Sequence, residues 1–209
     1  MKFNVRRIGR PLFESFLIVF SVLFALFVNR CAEDQRTEER KKIALGRIQE
    51  ELRGNQELIT NVLVIHKKAL SNLQRAAADS DDSLRLYLSA RRYVDADFFA
   101  LFVGGKGSFY PRAPSNTSWN AAKSTGVITE FDYLIVDLLT AAYDTQEVFQ
   151  ESTVSSITDL MFSPISDNEL DMIMALSTRV QELISQEENT LTYIKEALHV
   201  LSSQKVDTE

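Results

Sequence analysis

A nearly uninterrupted apolar run from Leu12 to Val28 constrains the fold of this chain more than any other feature. The polar residues within it are Glu14, Ser15 and Ser21. As a helix, the run would be about 26 Å long, somewhat shorter than the hydrocarbon core of a bilayer at about 30 Å. A cleaved signal peptide is the alternative, but "ALFVNRCAED" lacks the A-x-A pattern of a cleavage site. We therefore predict an uncleaved transmembrane helix at 12–29, preceded by a short basic tail at 1–11.

The distribution of charge indicates an orientation for this helix. The net charge of the 209-residue chain is −6, of which residues 1–30 contribute +4, so the remaining residues carry −10. Basic residues are denser immediately before the apolar run than immediately after it, which favours a cytoplasmic N-terminus and an exported body. Nucleic-acid binding depends on neutralising phosphates, and the body is acidic. We therefore expect membrane lipid, and no nucleic acid, among the partners.

The low content of helix-breaking residues, 7 Gly and 4 Pro, predicts an all-α fold. After the apolar run, positions spaced alternately by three and four form a largely apolar seam. The seam residues are Leu45, Ile48, Leu52, Asn55, Ile59, Val62, His66, Ala69, Leu73 and Ala76. The pattern predicts a coiled-coil-like stalk helix at 30–79 that continues from the transmembrane helix. We interpret Asn55 as a register-setting residue and His66 as half-buried or facing a partner.

Helix-breaking and capping residues divide the following body, 80–203, into further helices. The sequence "DSDDS" at 79–83 should end the stalk helix, and Asp82 or Ser83 should cap the next helix. After this break we predict one helix or two short helices at 84–103 and a loop at 104–118. A short helix follows, which Ser118 caps and Gly126 ends. We then predict helices at 127–150 and 152–162, a last helix from Ser166 or Asp167 to 202, and a disordered tail at 204–209. The simplest packing is a helical bundle in which the last helix lies antiparallel to the stalk.

Two patches of the sequence resemble a known family. From Glu14 to Asn29 the chain reads E-x-x-L-I-V-x-S-V-L-x-A-L-x-V-N, and a second patch, "SWNAAKSTGVI", begins at Ser118. These patterns resemble uncharacterised bacterial single-pass membrane proteins, a domain-of-unknown-function family whose anchor reads E-x-x-L-I-V-x-G-I-L-I-A-L. The chain departs from that pattern at Ser21, where the family has Gly, and at Cys31, near a Trp of the family. The resemblance implies a bacterial inner-membrane protein with a periplasmic helical body, and it implies no activity.

The sequence patterns of enzymes and cofactor sites are missing. The stretch "GGKGS" at 104–108 does not have the spacing of a phosphate-binding loop. Neither His66 nor His199 has a second ligand at metal-binding spacing, and G-x-S-x-G does not occur. We interpret the acidic pairs Asp81–Asp82 and Glu187–Glu188 as caps and solvated faces. The prediction is a protein that is not an enzyme and holds no cofactor or metal.

One side of the transmembrane helix is a candidate packing face. At 100° per residue, Glu14, Ser21 and Ala25 fall on one side of the helix, and five phenylalanines fall on a second side, centred about 120° away. Small residues four apart let membrane helices approach closely, and a polar residue prefers a protein-facing position. The alternative for Glu14 is that its side chain snorkels toward the headgroups.

Two further sets of residues are candidates for contacts with partners. Cys31 is either an inert thiol or one half of a disulfide between two copies. In the predicted loop, Phe109, Tyr110 and Arg112 either contact a partner or tuck the aromatic rings into the core. Two other aromatic residues are predicted core anchors, Trp119 and Tyr143.

These observations lead to three hypotheses of function. The first is a membrane-anchored helical scaffold or interaction protein of the bacterial envelope, which forms a homo-oligomer or holds another envelope protein. The second is a periplasmic, sensor-like module that binds a small ligand between its helices. The third is a subunit of a larger membrane complex.

Overall fold

The computed structural model describes residues 9–90, 96–103, 109, 113–148, 155, 159 and 168–203. Over these residues the fold is all-α, which confirms the predicted fold class. The helices are α1 (Gly9–Ala78), α2 (Ser83–Ala90), α3 (Ala96–Val103), α4 (Thr117–Ser124), α5 (Tyr133–Val148) and α6 (Glu169–Ser203), and a 3-10 turn spans Val127–Glu130.

Helix α1 is 70 residues long and contributes to two compact units, Met1–Ala44 and Leu45–Glu209. In the first unit, the helix from Phe13 onward is the one stretch of the described chain that is long and apolar enough to cross a membrane. In the most apolar 18-residue part of this stretch, 0% of the residues are buried. Length and composition therefore make this segment a candidate single-pass membrane anchor, as the sequence predicts.

The second unit is a helical body built on the predicted seam of α1. Every seam residue from Ile48 to Ala76 is buried, and Leu45 is half-buried. The apolar side of α6 covers the same core with Ile173, Leu176 and Val180. The seam is therefore an internal packing surface of this chain.

Contacts at two levels define the direction of α6. Its first residue, Glu169, lies beside α2, where its carboxylate accepts a hydrogen bond from Arg85 at 3.2 Å. Farther along, Glu187 meets His66 of α1, well before the C-terminal end of that helix. Within the body, α6 therefore runs antiparallel to α1.

The break between α1 and α2 lies at the predicted place. Asp82 Oδ1 accepts a hydrogen bond from the Leu84 backbone N–H at 2.8 Å, so Asp82 caps α2. The other oxygen, Oδ2, accepts from Arg75 Nε at 2.7 Å, which ties the end of α1 to this cap. The segment 84–103 contains two short helices, the second of the two predicted alternatives.

Three predicted helix boundaries are wrong. Helix α4 begins at Thr117, so Ser118 is not its N-cap. The single helix predicted at 127–150 is a 3-10 turn followed by α5, because Asp132 Oδ1 accepts from the Leu134 N–H at 2.8 Å and starts a new helix there. Helix α6 begins after Asn168, whose Oδ1 accepts from the Leu170 N–H at 3.2 Å.

The left-handed turn after α4 is the one the sequence indicates. Gly126 has a backbone φ of 75°, a conformation that residues with a Cβ atom rarely adopt.

The predicted helix at 152–162 lies outside the described residues apart from Ser155 and Asp159, which are helical. The predicted tail at 204–209 also lies outside them.

Candidate functional site

The most unusual site in the body is a buried pair formed by His66 and Glu187. The Nδ1 atom of His66 lies 2.7 Å from Oε1 of Glu187, and the two side chains are 1% and 0% exposed. The other ring nitrogen, Nε2, lies 2.9 Å from the backbone oxygen of Phe109. Three distant parts of the sequence therefore meet at one imidazole ring.

The acceptors around the imidazole fix where its protons must be. A backbone carbonyl oxygen can only accept, so His66 Nε2 carries a hydrogen and donates it to Phe109. Between His66 Nδ1 and Glu187 Oε1, a 2.7 Å contact requires one more proton, held by either the ring or the carboxyl group. We infer these proton positions from the hydrogen-bond partners. The His66 ring, the Glu187 carboxyl group and the Phe109 carbonyl therefore share two protons in total.

The environment of Glu187 favours its protonated form. Burial raises the pKa of Glu187, and the hydrogen bond and charge of His66 oppose that rise only in part. Among the described residues, the second carboxyl oxygen, Oε2, has no hydrogen-bond partner. A buried, unpartnered oxygen is costly to keep charged, so both observations point in the same direction.

Aromatic rings enclose the pair on one side. The Phe109 ring lies 4.5 Å from the imidazole, centroid to centroid, and 4.8 Å from the Phe102 ring of α3. Phe102 in turn stacks on Phe98 at 5.3 Å. On the surface beside the pair, Lys67 and Glu188 form an exposed ion pair at 2.7 Å. The buried pair thus lies between an aromatic cluster and the surface of α1 and α6.

The second polar site of the body is the Glu51 cluster, formed by Glu51, Ser115, Ser118 and Tyr143. Glu51 Oε1 accepts from the Tyr143 hydroxyl at 2.7 Å. Its Oε2 accepts from the Ser115 hydroxyl at 2.7 Å and from the Ser118 backbone N–H at 2.9 Å. A carboxylate of α1 therefore satisfies the N-terminus of α4, a position where negative charge is favourable, and also binds α5.

The aromatic residues beside Glu51 pack as predicted. Trp119 and Tyr143 are buried and stack with their centroids 5.4 Å apart and their planes 1° from parallel. The Lys123 ammonium lies 5.5 Å from the centre of the Trp119 ring. This confirms Trp119 and Tyr143 as core anchors of α4 and α5.

Asn55 completes this side of the body. Its amide exchanges two hydrogen bonds with the Ser115 backbone, donating to the oxygen at 2.7 Å and accepting from the N–H at 2.8 Å. The same amide nitrogen lies 2.8 Å from Gln146 Oε1. Asn55 therefore fixes the backbone at Ser115, before α4, against α1. The seam pattern alone does not identify this contact.

The Glu51 carboxylate should make stability depend on pH. Burial raises the pKa of Glu51, but hydrogen bonds from the Ser118 N–H and from the Ser115 and Tyr143 hydroxyls outweigh burial, so the pKa lies below 4.5. The stabilisation is therefore fully present above pH 4.5 and is lost as the pH falls through the lowered pKa. Burial and the adjacent Glu51 raise the pKa of Tyr143, so its hydroxyl remains the donor.

We expect Glu51→Gln to lower the free energy of unfolding at pH 7 by about 1–2 kcal/mol, because an amide cannot accept all three hydrogen bonds. The difference from the wild-type chain should shrink as the pH falls from 7 toward 3, because an increasing fraction of Glu51 is then protonated. Urea unfolding at both pH values measures it. Glu50→Gln changes the exposed neighbouring carboxylate and is the matched control. A loss that is equal at pH 3 and pH 7 would contradict the assigned role of the charge.

The structure separates the sequence-predicted candidates. Phe109 is 3% exposed and its ring packs into the core beside His66, which is the second of the two alternatives for this residue. Tyr110 and Arg112 lie outside the described residues. Cys31 is exposed and carries a free thiol. Glu14, Ser21 and Ala25 lie on the exposed part of α1, in the unit Met1–Ala44.

The sequence analysis does not predict the buried pair. The interpretation of Glu187 as part of a solvated face is wrong, since the residue is buried and its carboxyl group contacts His66 of α1. A signal was present, because Glu187 occupies an apolar position of α6 between Leu183 and Leu191, as His66 does in α1. Two lone polar residues on two apolar faces are candidates for a mutual contact when the faces pack together.

The remaining geometry and the comparisons with known proteins assign no chemistry. Among the described residues, His, Cys, Asp and Glu nowhere form a group of three that could hold a metal ion. A cleft between α5 and α6 is lined by apolar side chains and has no room for a water molecule. No family model, curated protein or solved structure matches the chain.

Proposed function

We propose that this chain is a membrane-anchored interaction protein of the bacterial envelope, with its N-terminus in the cytoplasm and its body in the periplasm, and that it self-associates through its anchor. The observation that carries the proposal is the uncovered apolar part of α1, which is continuous with a packed helical body. Its large apolar side chains are between 46% and 66% exposed, from Leu17 at the lower end to Phe16 and Ile18 at the upper end. Lipid is the solvent that suits such a surface.

The packing of the body supports the anchor as the site of association. The seam of α1 from Ile48 to Ala76 is buried by other helices of the same chain. A second copy would therefore have to displace this core in order to use the seam as a coiled coil. The anchor requires no such rearrangement, since α1 leaves it exposed from Phe13 to Val28.

The two sides of the anchor have different packing properties. On one side, Phe16 and Phe20 stack at 6.2 Å, and Phe20 and Phe24 stack at 6.2 Å. On the other side, the Ser21 hydroxyl donates to the Leu17 backbone oxygen at 2.7 Å, so its hydrogen bond is made within the helix. Ser21 would therefore favour helix association through its small size, which lets two backbones approach, more than through a hydrogen bond between copies.

The end of the anchor allows the two sides to be told apart. At 100° per residue, Cys31 projects within about 20° of Phe20 and Phe24, whereas Ala32 projects within about 20° of Ser21 and Ala25. Parallel copies that pack through the small-residue side would turn the Cys31 thiols away from each other and bring the Ala32 positions together. A disulfide at Cys31 and a packing face at Ser21 and Ala25 are thus competing predictions.

We expect the variant C31S/A32C, tested as the full chain in membranes, to form a disulfide-linked dimer under mild oxidation. The native chain with Cys31 should associate without forming that covalent bond. Adding S21L and A25L to that variant should reduce the dimer to background, because leucine side chains separate the backbones. Non-reducing electrophoresis measures both results.

The matched control is F16L/F24L in the same C31S/A32C background, which changes the phenylalanine side and should leave the dimer unchanged. A dimer formed by native Cys31 alone would instead assign the phenylalanine side as the interface. Monomer in every variant would reject self-association, and crosslinking followed by purification would then test for a different envelope protein as the partner.

A further inference from the structure

We propose that His66, Glu187 and the backbone carbonyl of Phe109 form a pH-sensitive switch, in which loss of one proton releases Phe109 from α1. This inference goes beyond the proposed function and rests on the geometry of the body alone. The contacts are 2.7 Å and 2.9 Å long, and both side chains are buried.

The switch follows from the number of protons that the contacts require. Two hydrogen bonds involve three groups, and Phe109 contributes only an acceptor. With two protons, both hydrogen bonds form and the pair of side chains is neutral overall, either as neutral His66 with protonated Glu187 or as the ion pair. With one proton, two lone pairs must face each other across one of the two contacts.

The contact to Phe109 is the one expected to break. A hydrogen bond from the ring to a charged carboxylate is stronger than one to a neutral carbonyl oxygen. After deprotonation, the remaining ring proton therefore moves to Nδ1 and faces Glu187. His66 Nε2 then presents a lone pair to the Phe109 oxygen, and the two repel each other. Phe109 loses the hydrogen bond that holds its backbone beside α1.

Within the described part of the chain, the groups around the pair do not replace the lost proton. The charged groups that act on Glu187 are His66 and Lys67 of α1 and Glu188 of α6. Lys67 and Glu188 pair with each other at 2.7 Å on the surface, so their charges largely offset each other. Phe109 contributes its carbonyl and its ring, and the Phe102 ring of α3 lies behind it. These aromatic neighbours donate no proton.

The direction of the pH dependence follows from Glu187. Its pKa in the folded chain is raised above 4.5, mainly by burial. The stabilisation from its proton is therefore fully present below pH 4.5 and is lost as the pH rises through the raised pKa. The isosteric variant Glu187→Gln does not titrate, and its amide N–H can donate to Nδ1 of neutral His66. It should keep Phe109 in place at every pH.

Nitrogen NMR of the full chain in detergent micelles, labelled only at histidine, tests the switch directly. The chain has two histidines, and His199 is exposed and serves as an internal reference. We expect His66 Nε2 to carry a proton at pH values below the raised pKa of Glu187, and we expect the one remaining ring proton to lie on Nδ1 at pH values above it. In Glu187→Gln, the proton should stay on Nε2 throughout.

Hydrogen exchange at the Phe109 amide gives the second readout. Relative to Glu187→Gln at the same pH, exchange in the wild-type chain should accelerate by at most about tenfold per pH unit as the pH rises toward the raised pKa of Glu187, and it should level off above that pKa. Glu188→Gln removes the exposed neighbouring carboxylate and should behave like the wild-type chain. A proton that stays on His66 Nε2 in the wild-type chain up to high pH would overturn the proposal, as would equal exchange at Phe109 in the wild-type chain and in Glu187→Gln at all pH values.

Discussion

Replacing Phe102 with alanine is expected to lower the free energy of unfolding of the helical body by about 3–5 kcal/mol. Phe102 is 0% exposed. The centre of its ring lies 5.3 Å from that of Phe98 and 4.8 Å from that of Phe109. Alanine would leave a cavity between α3 and the long helices, whose packing prevents a full collapse. Urea unfolding followed by far-ultraviolet circular dichroism measures the loss.

Two further variants calibrate this result. Leu86→Ala removes an apolar side chain that is 52% exposed, and we expect a change within about 0.5 kcal/mol. Phe102→Leu should lie between the two, since it leaves a smaller cavity. If Phe102→Ala costs no more than Leu86→Ala, the position of α3 against the core is wrong.

Asn55→Ala is expected to have the second largest effect, a loss of about 2–3 kcal/mol in the free energy of unfolding. The variant removes two hydrogen bonds to the Ser115 backbone and one to Gln146. Water can reach exposed Ser115, but the Gln146 side-chain oxygen is buried and would lose its partner. Most of the cost should therefore come from Gln146.

A double variant separates the two contributions. When both partners of a buried hydrogen bond become apolar, little cost remains. We therefore expect Asn55→Leu with Gln146→Leu to be more stable than Asn55→Leu alone. If the second substitution adds its own loss, the Asn55–Gln146 contact does not carry the effect, and the Ser115 backbone does.

The seam of α1 and the capped start of α2 could be predicted from the sequence because both depend on neighbouring residues. A spacing of three and four places Ile48, Leu52 and Ile59 on one face of any helix. In the same way, Asp82 caps α2 through the residue two positions ahead. The wrong boundary within 127–150 has a local cause as well, since Asp132 favours a cap as readily as an exposed turn of a longer helix.

The contacts of the candidate sites could not be predicted in this way. His66 and Glu187 are 121 positions apart, and Asn55 and Gln146 are 91 apart. Which polar residues meet depends on the direction and the register of packing between helices, and no local pattern determines these. Phe109 shows the same limit, since its loop composition fits a partner contact as well as the core position that it occupies.

The stacked pair of Trp119 and Tyr143 gives this chain an optical signature. The chain has one tryptophan, so its emission reports on a single place, the junction of α4, α5 and Glu51 of α1. Two rings held parallel at 5.4 Å are close enough for their electronic transitions to couple. Near-ultraviolet dichroism should therefore follow the docking of α4 on α5 without any added label.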